Sequence, residues 1–109
     1  MTTDSESPYP EFFRVRQKFE AHPLPDIPAA IASTLLGSPL SKILPGQSVA
    51  IAVGSRGVAN LRTIIACVVQ HVIDRGGQPL IVPAMGSHGG ATAEGQTAVL
   101  AAYGVSSDE

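Results

Sequence analysis

A single histidine, His88, stands in the glycine-rich segment GSHGG at residues 86–90. The apolar run at 80–82 is typical of a strand, and Thr92 is predicted to cap a helix that ends near Tyr103. Histidine exchanges protons near neutral pH, and its small neighbours would let a substrate approach closely. Because open α/β sheets bind ligands at the carboxyl ends of their strands, we expect His88 to be an acid/base residue there.

A second strand-loop-helix unit places Arg56 in the equivalent loop of the sequence VAIAVGSRGVANL, residues 49–61. A guanidinium group can bind a carboxylate or phosphate through two hydrogen bonds. The alternative, a solvated charge or a salt bridge, stays open at this point. Other candidates for contact with a substrate or a cofactor are the hydroxyls of Ser55 and Ser87 and the loop amides of Gly86, Gly89 and Gly90.

The elements around these loops predict a Rossmann-like three-layer α/β unit with a short parallel sheet of about three strands. Continuous apolar strands at 49–53 and 79–82 are expected where helices cover both faces of a sheet. Right-handed crossovers would bring both glycine loops to one edge. The other predicted elements are an edge strand at 14–19, a helix capped by Asp26, a helix from Leu61 to about Arg75 capped by Asn60, and the helix capped by Thr92.

The chain has 109 residues, 44% of them hydrophobic and 15% charged, which suits one small domain. We expect a disordered tail at residues 1–12 and an α/β domain at 13–109. A net charge of −2 and scattered basic residues disfavour nucleic-acid binding. No apolar run is long enough for a membrane span, and the polar amino terminus does not resemble a signal peptide, so we expect a cytoplasmic protein.

The spacing of the remaining cysteine and histidine residues predicts neither a disulfide framework nor a metal site. Cys67 lies alone in an apolar run, which excludes a disulfide framework and predicts a buried thiol. His22 and His71 do not stand at metal-ligand spacing with His88, so no metal site is expected. His71 is predicted at the surface, and the helix end at residues 74–75 is predicted to be solvated.

The second glycine loop also invites comparison with two other kinds of site, a serine-hydrolase elbow and a phosphate cradle. A serine-hydrolase elbow needs a small residue where Met85 stands and a later histidine, and none follows His88. A phosphate or nucleotide cradle without catalysis remains an alternative, since glycine loops before helices bind phosphate. The loop has neither the P-loop lysine nor the GxGxxG spacing.

Two segments together resemble the amino-terminal domain of the nickel-pincer lactate racemase family. They are VAIAVGSRGVANL followed by a helix, and LIVPAMGSHGGATAEG followed by a helix that ends in Tyr103-Gly104-Val105. The similarity spans residues 45–105, over half of the chain, and lies in the order and spacing of both loops.

The resemblance implies a 2-hydroxyacid racemase or epimerase that transfers a hydride reversibly between its substrate and a nickel-pincer nucleotide. It implies that His88 is an acid/base residue and that Arg56 contacts a small 2-hydroxyacid. The family's second proton-shuttling histidine, its cofactor-tethering lysine and its nickel-ligating histidine have no counterpart here. We therefore expect an N-terminal portion that is inactive alone, does not hold the nucleotide stably, and needs a C-terminal half in cis or in trans.

Overall fold

A computed structural model describes residues 9–54 and 57–107 of the chain. Helices and strands alternate along it, as the sequence predicts. The regular elements are α1 (Ile27–Leu36), β1 (Ser48–Val53), α2 (Leu61–Asp74), β2 (Gln78–Pro83) and α3 (Ala93–Ala102). Two short 3-10 turns accompany them, Pro39–Lys42 before β1 and His88–Ala91 before α3.

The strands β1 and β2 form a parallel pair in which Ser48 lies beside Gln78 and Val53 beside Pro83. This pairing and the three helices of the described ranges confirm the α/β class. Within those ranges the sheet has two strands, not about three. The strand predicted at 14–19 is wrong: that segment is exposed and has no regular structure, and no strand of the described ranges pairs with it.

The hydrophobic core lies on one face of this sheet, between the strands and the helices α2 and α3. Parallel sheets usually bury both faces, and we expected the same here. On the opposite face, however, Ala50 and Ala52 are exposed, and Leu80 and Val82 are 62% and 39% exposed. That expectation is therefore wrong for the described residues. The core contains Ile51, Val53, Leu61, Ile65, Val72, Met85, Leu100 and Val105.

Side-chain caps begin two of the three described helices, as predicted. Asp26 Oδ1 accepts a hydrogen bond from the Ala29 N–H at 2.9 Å, and Thr92 Oγ1 accepts one from the Gly95 N–H at 3.0 Å. The capping role predicted for Asn60 is wrong. Asn60 precedes α2 but has a left-handed backbone (φ 60°) and makes no side-chain cap bond.

The helix α2 ends at the glycine pair that the sequence marks as its stop. The Gly76 N–H donates to Ile73 O at 2.8 Å, and the Gly77 N–H donates to Val72 O at 3.0 Å. Gly76 has φ +74°, so a residue without Cβ suits this position. These two bonds satisfy carbonyl groups that the last helical turn leaves unpaired.

The surface position predicted for His71 is wrong, and so is the solvated position predicted for Arg75. His71 is 9% exposed, with Nε2 at 3.3 Å from Leu40 O and Nδ1 at 3.2 Å from an Arg75 guanidinium nitrogen. Arg75 Nε donates to Ser41 O at 3.4 Å. The 3-10 turn before β1 therefore covers this end of α2. Asp74 is exposed, as predicted.

Two smaller observations concern Cys67 and the lengths of the helices. Cys67 is half-buried rather than fully buried. Of the helices in residues 9–54 and 57–107, none has both the length and the apolar character that crossing a bilayer requires.

Candidate functional site

The loops after β1 and β2 meet at the carboxyl edge of the sheet, as predicted. A Cβ atom placed on Gly54 would lie 3.5 Å from Ala84 O, so the backbones of the two loops are close to van der Waals contact there. Beside this contact is a cleft of about 480 Å³, a size typical of small-molecule sites. Its lining residues are Gly54, Val58, Ala84, Met85, Gly86, Ser87 and His88.

His88 enters the cleft through a tight turn. Gly86 has φ +61°, Ser87 has φ −87° and ψ 1°, and the His88 N–H donates to Met85 O at 3.3 Å. This sign pattern of φ is that of a type II′ turn, which favours glycine at its second position. Met85 is buried in the core, so the turn is anchored at its start. The result is an exposed Ser87 followed by a half-buried His88.

The three residues that follow His88 all adopt left-handed backbone conformations. Their φ angles are +59° at Gly89, +68° at Gly90 and +57° at Ala91. Glycine adopts this region freely, whereas Ala91 carries a cost of about 1–2 kcal/mol. The strained residue, Ala91, therefore lies three residues after the half-buried histidine, and strained backbone often accompanies function.

A close contact between Gly89 and Gly95 holds this left-handed turn against α3. A Cβ atom on Gly95 would overlap Gly89 O, and it would also lie 2.9 Å from Thr92 Oγ1. The Thr92 hydroxyl donates to Gly89 O at 3.3 Å while it accepts from the Gly95 N–H. Thr92 therefore joins the turn to the helix as well as capping it.

Sequence reasoning missed Gln96. Its side-chain Nε2 donates to Gly86 O at 2.8 Å, ten residues back along the chain. This bond ties the first turn of α3 to the turn that precedes His88. A glutamine near a helix start has many other uses, so the sequence holds no signal for this contact.

The first loop is described only on either side of its predicted site residues. Ser55 and Arg56 lie outside the described residues, so the predicted anion clamp remains a prediction. Of their neighbours, Gly57 is exposed with φ +62°, and Val58 is 48% exposed where it lines the cleft. Val58 gives the cleft an apolar wall opposite the polar turn at Ser87.

The amino end of α3 is partly occupied by the chain's own groups. The Gly95 N–H is bonded to Thr92 Oγ1, and the Gln96 N–H donates to Thr92 O at 3.0 Å. The exposed Glu94 lies in the first helical turn, where its negative charge already complements the helix dipole. These features reduce what the helix start offers to a phosphate, the ligand of the alternative cradle.

No group of three histidine, cysteine, aspartate or glutamate side chains suited to a metal ion occurs in the part of the chain that the structure describes. His22 lies exposed before α1. His71 lies in α2, where its ring nitrogens contact the Leu40 carbonyl oxygen and the Arg75 guanidinium. The structure therefore does not bring these histidines to the cleft that His88 lines.

Comparisons with protein-family models, with curated proteins and with solved structures find no match to this chain.

Proposed function

We propose that this chain supplies an acid/base histidine and an anion-binding edge to a lactate-type 2-hydroxyacid racemase or epimerase. The observation that carries the proposal is the position of His88. It is half-buried and lines a cleft at the carboxyl ends of two parallel strands, in a turn fixed by hydrogen bonds and by close glycine packing. A side chain held in this way can meet a small substrate in one orientation.

In this proposal His88 accepts the proton of the substrate hydroxyl through an imidazole nitrogen and later returns it. The substrate carboxylate would be held by the Arg56 guanidinium, with the exposed Ser87 hydroxyl as a further donor. Val58 and the buried Met85 would face the substrate's apolar part. The cleft thus combines a polar turn with an apolar wall, which suits a short hydroxyacid.

The family resemblance also implies a nickel-pincer nucleotide, and the described residues do not fit one. A nickel centre requires several nitrogen, sulfur or oxygen donors at one place, and the described residues bring no such set together. The amino end of α3, where the Gly95 N–H is already bonded and Glu94 carries a negative charge, is a weak phosphate site as well. The proposal therefore concerns proton transfer and anion binding by this chain, and no step is assigned to the nucleotide.

The test is an NMR titration of the full chain with each enantiomer of lactate, observing the imidazole resonances of all three histidines. We expect both enantiomers to shift the His88 resonances and to leave those of His22 unchanged. Arg56→Gln should weaken binding by about tenfold or more through loss of a paired, charge-assisted contact. His88→Gln should retain binding and abolish the proton uptake or release that accompanies it.

Inorganic phosphate serves as the competing probe. If phosphate shifted the amide resonances at the start of α3 while neither lactate enantiomer shifted His88, the hydroxyacid proposal would be wrong. The non-catalytic phosphate-binding alternative would then be favoured. Its affinity would fall as the salt concentration rises, because exposed charges are screened.

A further inference from the structure

The segment of residues 9–24, here termed the arm, holds most of the exposed aromatic surface of the chain. Every residue from 9 to 26 is exposed. All three phenylalanines of the protein lie in it, with exposed fractions of 95% for Phe12, 84% for Phe13 and 77% for Phe19. A soluble fold seldom leaves its largest apolar side chains in water without a partner surface.

The arm also has the alternation of an amphipathic strand. In extended backbone, Phe13, Val15 and Phe19 lie on one side, and the basic residues Arg14 and Lys18 lie on the other. Such a segment can join the edge of a sheet, with its apolar side toward the core and its charges toward solvent.

One edge of the sheet is closed to such an addition. Along a strand, successive residues direct their N–H and C=O groups alternately to one side and to the other. The Ala84 N–H donates to Val53 O at 2.8 Å, so the even-numbered residues of β2 face β1 with these groups. The odd-numbered residues of β2 direct theirs outward. Pro79 and Pro83 stand at two of the three outward positions of β2. Because proline has no N–H, Ile81 is the single outward donor of this edge.

The opposite edge is open. By the same alternation, Ser48, Ala50 and Ala52 of β1 direct their N–H and C=O groups outward, and none of them is a proline. No strand of the described ranges pairs with this edge. Beside it is a groove of about 380 Å³ whose lining includes the half-buried Leu40 and Ile43. The groove is therefore placed to receive apolar side chains from an added strand.

We propose that residues 13–19 of a second copy of this chain pair with the free edge of β1, and that two copies exchange arms about a twofold axis. The connection between arm and body favours exchange over folding back. It contains Pro23 and Pro25, Asp26 has extended backbone angles (φ −137°, ψ 96°), and Pro28 stiffens the first turn of α1. Proline-rich connections are stiff spacers, so they direct the arm away from its own body.

The surface available is large enough for a stable dimer. A phenylalanine side chain buries about 150–250 Å², so the four inward-facing phenylalanines of two exchanged arms, Phe13 and Phe19 of each, would bury roughly 600–1,000 Å². The arm backbone and the receiving grooves add to this. The total then reaches the roughly 1,200–2,000 Å² of specific interfaces. This proposal stands independently of the proposed function, since it concerns the side edge of β1 and not the cleft.

The test is the molar mass of the full chain in solution, measured by sedimentation over a wide concentration range. We expect a species of twice the 11.2 kDa chain mass that dissociates on dilution. The double variant Phe13→Asp/Phe19→Asp should raise the dimer Kd by roughly 30-fold or more, the effect of losing an aromatic hot spot. The matched control Arg14→Gln/Lys18→Gln, on the solvent side of the arm, should remain dimeric.

A second variant tests the receiving edge. Ala50→Pro removes an outward N–H of β1, as Pro79 and Pro83 already do in β2, and should give a monomer with an unchanged circular dichroism spectrum. A chain that is monomeric at every concentration overturns the proposal, as does a dimer that survives Phe13→Asp/Phe19→Asp. Amide protection of residues 13–19 in a monomer would assign the edge to the chain's own arm and would also overturn exchange.

Discussion

The side-chain amide of Gln96 donates a 2.8 Å hydrogen bond to the carbonyl oxygen of Gly86. This bond joins the first turn of α3 to the turn that delivers His88 to the cleft. Together with the contact between Gly89 and Gly95, it fixes the loop at two points, one on each side of the histidine. The shape of the candidate site is therefore set by α3 as much as by the strand that precedes it.

Replacing Gln96 with leucine should loosen this turn without unfolding the protein. The lost bond is a single one between neutral groups, so we expect a loss of stability of about 1 kcal/mol. Faster amide exchange should be confined to residues 84–90. The matched control is Gln70→Leu, because the side chain of Gln70 is exposed and donates to Asp74 of its own helix at 2.7 Å. Equal exchange rates in this loop for both variants would show that Gln96 does not hold the turn.

Gly95→Ala should be strongly destabilising although alanine is the better helix former. Helix propensity alone would favour alanine by about 1 kcal/mol. The added methyl group, however, would overlap Gly89 O, a backbone atom that cannot move without displacing the whole turn. We expect a net loss of about 2–4 kcal/mol, the range of overpacking and strain effects, measured by urea denaturation.

Gly90→Ala is the matched control for this substitution. Gly90 also has positive φ (+68°), but a Cβ atom there would meet nothing within 4 Å. Only the conformational cost remains, about 1–2 kcal/mol, and the neighbouring Ala91 already adopts the same region. If Gly90→Ala were as destabilising as Gly95→Ala, close packing would not be the reason why position 95 is a glycine.

His71→Ala should destabilise the protein by about 2–3 kcal/mol. The substitution removes a buried ring and leaves the Leu40 carbonyl and the Arg75 guanidinium without the ring nitrogens that lie 3.3 and 3.2 Å from them. Urea denaturation measures the loss. The control is His22→Ala, at an exposed position before α1, which should change stability by less than about 0.5 kcal/mol. Equal effects for the two histidines would contradict a packing role for His71.

Two substitutions at helix starts should differ in their effect on stability. Asp26→Ala removes the 2.9 Å bond to the Ala29 N–H and should cost about 1 kcal/mol. Asn60→Gly removes no capping bond and relieves a left-handed backbone (φ 60°), so it should leave stability unchanged or raise it by up to about 1 kcal/mol. Thermal unfolding of both variants checks this contrast. A clear loss of stability in Asn60→Gly would mean that the asparagine side chain stabilises the loop in another way.

Local rules predicted the elements well because their causes are local. The cap at Asp26, the cap at Thr92 and the glycine pair after α2 each act over three to five residues. The apolar runs that became β1 and β2 were recognisable for the same reason. The position of His88 between a strand and a helix followed directly from these boundaries.

The failures concern groups whose partners are distant in sequence. The position of His71 off the apolar stripe of its helix predicts a surface residue, yet the carbonyl oxygen of Leu40, 31 residues earlier, lies 3.3 Å from its ring. The strand predicted at 14–19 depends on a partner strand that no local pattern supplies. Gln96 depends on Gly86, whose carbonyl direction is set by the turn and not by residue type.

The order and approximate bounds of the three helices and two strands in the described residues were predictable from the sequence, as was a histidine in a glycine-rich turn at the carboxyl edge of a parallel sheet. These features follow from propensity, capping and periodicity, which act between near neighbours. The tertiary structure decided which side chains are buried, that Gly95 must lack a Cβ, and which sheet edge stays open. Burial and close approach are properties of surfaces that meet only after the chain has folded.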